Sequence, residues 1–161
     1  MTETSGHFRD GGFVPLNIAL LTVSDSRTLD DDKSGNALEQ RILEAGHRLA
    51  ERALVPDDVY QLRAIVSRWI ADPETQVVIS TGGTGITGRD STPEAMRPLF
   101  DKPVEGFGEL FRQVSLEEIG ASTIQSRALA GLANGTLIFC LPGSSGACRT
   151  AWDRVLGPQL D

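Results

Sequence analysis

The apolar run Gln76-Val77-Val78-Ile79-Ser80 empties directly into Thr81-Gly82-Gly83-Thr84-Gly85. A short, continuously apolar segment reads as a strand covered on both faces, and a glycine loop straight after such a strand belongs to the carboxyl edge of an α/β sheet. The preceding segments agree with that placement. Asn17 to Val23 is a first buried strand. From Ser34 onward, Leu38, Ile42 and Ala45 recur at helical spacing and stop at Gly46, with Asp30-Asp31-Asp32 ahead of them as a solvated loop. Arg48 to Val55 is a second strand. Val59, Leu62, Val66, Trp69 and Ile70 form one helical stripe running to about Ala71, with Pro56 and two aspartates at its start. Strand, helix, strand and glycine loop in this order are an α/β signature.

Beyond the loop, Thr92-Pro93 reads as a helix N-cap followed by proline, predicting a short helix over Pro93 to Phe100. Phe107, Leu110, Phe111 and Val114 mark another helix. Asn134-Gly135 is a hairpin turn signal between Arg127 to Leu132 and Thr136 to Leu141. Then comes Pro142-Gly143-Ser144-Ser145-Gly146 and a last helix, with Ala147, Cys148, Ala151, Trp152, Val155 and Leu156 inward and Gly157-Pro158 as its stop.

A chain of 161 residues with 40% hydrophobic content suits one domain. Met1 to Gly12 is polar and aperiodic, so we expect a flexible tail over 1–15 and one domain over 16–161. The longest apolar runs, such as Leu137 to Leu141, fall far short of a membrane span, and no secretion signal opens the chain. Cys140 and Cys148 are not spaced as a metal pair and cannot staple a domain of this size, which fits a reducing cytosol. The expected location is cytoplasmic. The net charge of -7 argues against broad nucleic-acid binding, which needs a basic stripe. Phosphates would have to be held locally, by backbone N–H groups, a few arginines or a shared divalent metal.

The glycine loop is the first candidate for such a site, because small residues let backbone amides approach an anion closely. Gly83-Thr84-Gly85-Ile86-Thr87-Gly88 matches G-x-G-x-x-G in spacing, and with Arg89-Asp90 it approaches a Walker A loop. Both matches are poor: Arg89 and Asp90 replace the Walker lysine and hydroxyl residue, and Thr92-Pro93 starts the helix too late for a dinucleotide fingerprint. On composition alone, a tight connection needing glycine torsions is the favoured reading. Asp90 beside such a loop would repel a phosphate unless a cation lay between them, though Asp before Ser-Thr-Pro is commonly a loop or cap residue. Asp57 and Asp58 share that ambiguity, since capping the Val59 helix needs only one of them. Pro142 to Gly146 is a second strand-to-helix junction, and Glu105-Gly106-Phe107-Gly108-Glu109 sets two glycines and two acids around an aromatic. His7 and His47 have no local partner of catalytic or metal type and are expected to face solvent. Trp69 and Trp152 are expected in the core.

These motifs together resemble the MoaB and MogA family of molybdenum-cofactor biosynthesis proteins. The resemblance spans Leu16 to Leu160. It is carried by Thr81-Gly82-Gly83-Thr84-Gly85 with Arg89-Asp90 and Thr92-Pro93-Glu94, then Glu105-Gly106-Phe107-Gly108-Glu109, Ser126-Arg127-Ala128 and Leu141-Pro142-Gly143-Ser144. It implies a three-layer α/β/α domain with a mostly parallel central sheet, assembled as a homotrimer or homohexamer. It also implies Mg-ATP-dependent adenylylation of molybdopterin, giving adenylyl-molybdopterin and pyrophosphate, with a downstream molybdenum-insertion protein as a possible partner. By the same resemblance, Asp57 and Asp90 would be the acidic pair that supports Mg²⁺ and catalysis. Thr81, Gly82, Gly83, Thr84 and Gly85 would cradle nucleotide phosphates, and Ser24, Glu105, Gly106, Gly108, Ser115, Pro142, Gly143 and Ser144 would shape the rest of the site. The family often carries a second proline after Pro142-Gly143, where this chain has Ser144-Ser145-Gly146. Some MoaB members lose the first acidic residue and bind the pterin without adenylylating it; Val55-Pro56-Asp57-Asp58 retains it. Two rivals stand beside this reading, a non-catalytic molybdopterin-binding or carrier protein and a nicotinamide-dependent oxidoreductase built on Gly83-x-Gly85-x-x-Gly88.

Overall fold

The structure is a computed structural model that describes residues 12–160. Most of the tail anticipated over Met1 to Gly12 therefore lies outside the described residues. The elements are β1 (Asn17–Val23), α1 (Lys33–Glu44), β2 (Arg48–Val55), α2 (Val59–Ala71), β3 (Val77–Thr81), α3 (Thr92–Met96), β4 (Lys102–Pro103), α4 (Glu105–Ile119), β5 (Leu129–Ala133), β6 (Thr136–Leu141), α5 (Ser145–Ala151) and α6 (Gly157–Leu160). Tight 3₁₀ turns follow α3 and α4, and a wide π turn over Trp152–Leu156 joins α5 to α6.

Six strands form one sheet in the order β2-β1-β3-β6-β5-β4. β2, β1, β3 and β6 pair in parallel, while β5 runs antiparallel to both β6 and β4. The two-residue edge strand β4 has no periodic pattern and was not anticipated; it exists because Lys102–Pro103 lies alongside Leu132 and Gly131.

Side chains of the central strands alternate between two cores, as the pleat requires. Ile18, Leu20, Val77 and Ile79 pack against α1, α4 and α5 with Leu38, Ile42, Phe111, Trp152 and Leu156. Ala19, Leu21, Val23, Val78, Ile138 and Cys140 pack against α2 and α3 with Leu62, Val66, Trp69 and Met96. The result is the expected α/β/α layering. Trp69 and Trp152 are core residues, with the Trp69 Nε1–H donating to Glu51 at 2.9 Å. Both cysteines are buried and unpaired, and burial pushes their thiols up, Cys140 to about 12 and Cys148 to about 11. Among the described residues no helix is long and apolar enough to cross a membrane.

Four local expectations need correction. Asp32 is not solvated: it is fully buried, caps α1 through Gly35 N–H at 3.0 Å, accepts from Thr22 at 2.5 Å and pairs with Arg52 at 3.1 Å. A buried carboxylate needs that many partners. His47 is also buried, its Nδ1 accepting from Leu16 N–H at 3.1 Å between the rings of Phe13 and Trp152. Thr92 is the first residue of α3, with Ser91 at the cap position, and the expected helix tightens after Met96. Pro98 has no N–H to offer Glu94, so Arg63 takes the Glu94 and Ala95 carbonyls at 3.0 and 3.1 Å instead. Finally, Gly157-Pro158 does not end the last helix. Gly157 N–H bonds to Trp152 O across the π turn, which places Pro158 in the first turn of α6, where a missing N–H costs nothing.

Candidate functional site

The strand order reverses direction between β1 and β3, because the chain moves outward from β1 to β2 and then returns to the other side of β1. In open α/β sheets ligands bind at such a switch point, outside the carboxyl ends of the strands. A cleft of about 460 Å³ opens there. It is lined by Ser24, Ser26 and Arg27 after β1, Gly82 to Gly85 and Asp90 after β3, Pro142 and Gly143 after β6, and Gln125 and Ser126 before β5.

The glycine loop owes its shape to two residues that an L side chain could not replace. Gly82 and Gly83 have φ of +108° and +74°, and a Cβ on Gly82 would lie 2.3 Å from the Val23 carbonyl oxygen. Thr92 holds the loop from the far side: its N–H donates to Gly83 O at 3.0 Å and its hydroxyl to Gly82 O at 2.9 Å. The hydroxyl expected to cap a helix therefore anchors the loop. Thr81 lies buried underneath and ties β3 to β6 through a 2.8 Å bond to Pro142 O.

The aspartates divide their work as the sequence allowed. Asp58 caps α2, accepting from Tyr60 and Gln61 N–H at 2.9 Å each. Asp57 turns the other way: its Oδ1 accepts from Ser91 N–H at 3.2 Å and from the Ser91 hydroxyl, and its Oδ2 lies 3.0 Å from where a Cβ on Gly83 would stand. Asp90 closes the loop from its other end, Oδ2 accepting from Thr87 N–H at 2.9 Å and Thr87 Oγ1 at 2.8 Å, and 2.7 Å from where a Cβ on Gly85 would stand. Burial pushes the Asp90 carboxyl up, but the Thr87 hydroxyl and N–H, the Gly85 N–H and Arg127 outweigh it and hold the group below the ordinary carboxylate value. The two carboxylates thus flank one stretch of glycine backbone.

Several neighbours of the candidate site carried no sequence signal. Asp25 accepts from Asp57 N–H at 3.0 Å and pairs with Arg89 at 2.9 Å, and those two interactions lower its carboxyl. Ser34 donates to Gly143 O at 2.5 Å, and Arg27 lies 3.4 Å from the same oxygen. Arg27 is the cation in the cleft wall, and the buried Asp32 stands 3.8 Å behind it. The contacts of Asp25 with Asp57 and Arg89, and of Ser34 and Arg27 with Gly143, join residues 32 to 116 positions apart, so no local pattern could have found them.

The remaining candidates lie elsewhere. Ser144 spends its hydroxyl on Ala147 N–H at 3.1 Å as the cap of α5. Glu105 and Gly108 line a separate groove of about 630 Å³ beside α4, together with Arg97, Phe100, Glu109, Arg112 and Ile124. Gly108 has a packing reason, since a Cβ there would stand 2.9 Å from Ala128 O. Gly106 is exposed, and Ser115 lies on the buried face of α4; neither lines the cleft.

A divalent cation tests the carboxylate pair. Among the described residues no cluster of three or more His, Cys, Asp or Glu could enclose a metal. Mg²⁺ does not require one, because it is usually held by one or two carboxylates, several waters and the phosphates of its ligand. Two aspartates beside glycine amides fit that pattern.

The family described as "Probable molybdopterin binding domain" matches residues 19–161. The chain is 57% identical over 149 residues to molybdenum cofactor biosynthesis protein B of Escherichia coli (strain K12), covering 92% of this chain and 88% of that protein. It is 44% identical over 142 residues to the protein of the same name from Bacillus subtilis (strain 168), covering 88% and 84%. A crystal structure of molybdenum cofactor biosynthesis protein B superposes with a TM-score of 0.88 at 42% identity, covering 91% of this chain and 92% of that one. The tungsten cofactor synthesizing protein MoaB from Pyrococcus furiosus superposes with a TM-score of 0.80 at 36% identity, covering 90% and 92%.

Proposed function

The chain belongs to the molybdopterin-binding family of molybdenum-cofactor biosynthesis proteins, and we propose that within that pathway it adenylylates molybdopterin at the expense of ATP. The observation that carries this reading is that Asp57 stands beside Gly83 and Asp90 beside Gly85, with Asp90 and the Gly82 to Gly85 backbone in the lining of one cleft.

In the proposed reaction a phosphate oxygen of molybdopterin attacks the α-phosphorus of ATP. The bond from that phosphorus to the α,β-bridging oxygen breaks, and pyrophosphate leaves with the electron pair. A phosphate nucleophile is largely ionised near neutrality, so no general base is required, and the cleft lining contains neither histidine nor cysteine. What the reaction demands is alignment and charge neutralisation. Gly82 N–H is spent on Leu141 O and Gly85 N–H on Asp90, so the Gly83 and Thr84 amides and the Arg27 guanidinium are the donors we assign to phosphate oxygens. Asp57 and Asp90 would hold Mg²⁺, which when bound supplies neutralisation of the phosphate charge. Ser91 and Thr87 fix the two carboxylates, so neither has to reorganise as charge moves.

We place the reaction in the cytoplasm, in keeping with two free buried thiols. Self-association into a homotrimer or homohexamer is supported by the exposed apolar side chains of Leu110, Leu116, Ile119 and Ile124 along α4 and the turn after it. The product would pass to a molybdenum-insertion protein.

The test is direct. Purified protein incubated with molybdopterin, Mg²⁺ and ATP is expected to release pyrophosphate and form adenylyl-molybdopterin. Binding of the pterin with no pyrophosphate released would leave a carrier in place of an enzyme, and saturable binding of NAD without any effect of ATP would replace both.

A further inference from the structure

Arg127 enters the candidate site from β5's side and is bonded more heavily than any role in packing would ask. Its backbone N–H donates to Thr84 O at 2.9 Å. Its guanidinium donates through Nε to Gly85 O at 2.7 Å, through Nη2 to Asp90 O at 2.8 Å and through Nη1 to Glu94 at 2.5 Å. One planar fork thus spans the beginning of the loop, its end and the first turn of α3. Between those points the chain is exposed over Ile86, Thr87, Gly88 and Arg89, a Cβ on Gly88 would touch nothing within 4 Å, and the stretch is otherwise held by the local Thr87–Asp90 turn and the surface pair of Arg89 with Asp25. Asp57 is fixed by other partners, namely Ser91 and Asp25.

We propose that Arg127 is a positioning residue, which sets the distance between the glycine amides and Asp90 and so fixes the geometry of the phosphate and cation site without touching either ligand. The inference rests on the functional reading above for its ligands but makes a claim about the loop that can be tested without catalysis. Guanidinium geometry is the essential property. A lysine ammonium is a point donor and cannot satisfy two carbonyls and a carboxylate in the same plane. Arg127 also stands where the cleft meets the groove beside α4, since Ser126 lines both hollows and Arg127 lines the second.

The experiment compares wild type, Arg127→Met and Arg127→Lys, with Arg68→Met as a control that loses a surface ion pair to Glu51 far from the cleft. Hydrogen exchange reads the loop, and calorimetry with Mg²⁺ and inorganic pyrophosphate reads the site. In Arg127→Met the amides of residues 85–91 are expected to exchange faster while those of β3 and Asp57 keep wild-type rates. Affinity for Mg-pyrophosphate should fall about 10- to 100-fold, the usual cost of removing a group that orients a metal-site residue. Arg127→Lys should fall between, and Arg68→Met should match wild type. Wild-type loop exchange and wild-type affinity in Arg127→Met would overturn the proposal. Should that variant fail to fold, Arg127→Lys decides: wild-type behaviour in both readouts overturns the proposal, and loosening confined to 85–91 supports it. If wild type forms no adenylyl-molybdopterin but its pyrophosphate affinity still depends on Arg127, the positioning role stands and the proposed reaction falls. If transfer occurs and Arg127→Met performs it with an unchanged Mg²⁺ requirement, the reverse holds.

Discussion

The cleft at the carboxyl edge of the sheet is smaller than the groove beside α4, about 460 Å³ against about 630 Å³, yet it is the hollow to which we assign the proposed chemistry. Its wall is mostly backbone and short polar side chains from four separate loops, with Asp90 and Arg27 as its charges. The groove is walled by longer side chains, among them Phe100, Val104, Ile124, Arg97 and Arg112, and Leu116 and Ile119 are exposed further along α4. A surface of amides and fixed carboxylates suits a phosphorylated ligand, whereas an apolar groove with a charged rim resembles the core and rim of a protein interface. Size ranks the two hollows one way and donor chemistry the other. Donor chemistry is the better guide, because a phosphate binds through hydrogen bonds and charge.

The contrast predicts that variants should sort by region. The largest effect is expected beneath the cleft, where Asp32→Ala leaves Arg52 without its buried partner and should cost about 3–5 kcal/mol of stability, read by urea denaturation. A smaller loss would show that Arg52 finds its compensation in Glu39, which already lies 2.8 Å away. Next, Asp90→Asn should lower adenylyl transfer by about 100-fold or more while circular dichroism and self-association stay as in wild type. Transfer near the wild-type rate would make Asp90 a loop residue only and erase the distinction between the regions. Gly82→Ala should cost about 2–4 kcal/mol, summing a positive φ with a Cβ forced onto the Val23 carbonyl. In the groove, Ile119→Glu should weaken self-association by about tenfold or more in sedimentation and leave Mg-pyrophosphate binding in the cleft unchanged. Loss of both together would mean that assembly completes the cleft.

The smallest effect concerns pH. Asp90 has a folded value below its ordinary 3.8, so its contribution to stability is complete above that value and is lost as pH falls through the lower folded one. The stability difference between wild type and Asp90→Asn should therefore be flat from pH 5 to 8 and shrink only below about pH 4. A slope across neutrality would point to another titrating group.

Much of this was legible in the sequence wherever the signal was local. β1, β2 and α2 occupy the spans that their apolar patterns mark out, because burial on one or both faces imposes a period that reads directly from neighbouring residues. The Asn134-Gly135 hairpin is equally plain, with φ of +51° and +79° at its two positions. The glycine loop and Asp90 stood out for a similar reason, since glycine torsions and the need for a cation beside a carboxylate are properties of single residues; the choice of Asp57 over Asp58 came from the family resemblance. The misses have a common cause. Asp32 looked like part of a solvated acidic run until Arg52, twenty residues on, covered it. His47 looked isolated until Leu16 and Trp152 closed over it. Gly157-Pro158 looked like a stop until the π turn moved the proline into a position that tolerates it.

The sequence by itself determined the α/β class, the strand that ends in the glycine loop, and the residue types able to approach a phosphate, since each follows from local periodicity or from the torsions one residue can adopt. Only the tertiary structure decided which aspartate caps a helix and which faces the loop, that Asp25, Arg27 and Arg127 join the site, and that Glu105, Gly108 and Ser115 stand apart from it. Those outcomes depend on bonds between residues 30 to 116 positions apart, such as Asp57 to Ser91 and Arg27 to Gly143. Chain order does not encode such distances until the sheet brings its carboxyl ends together.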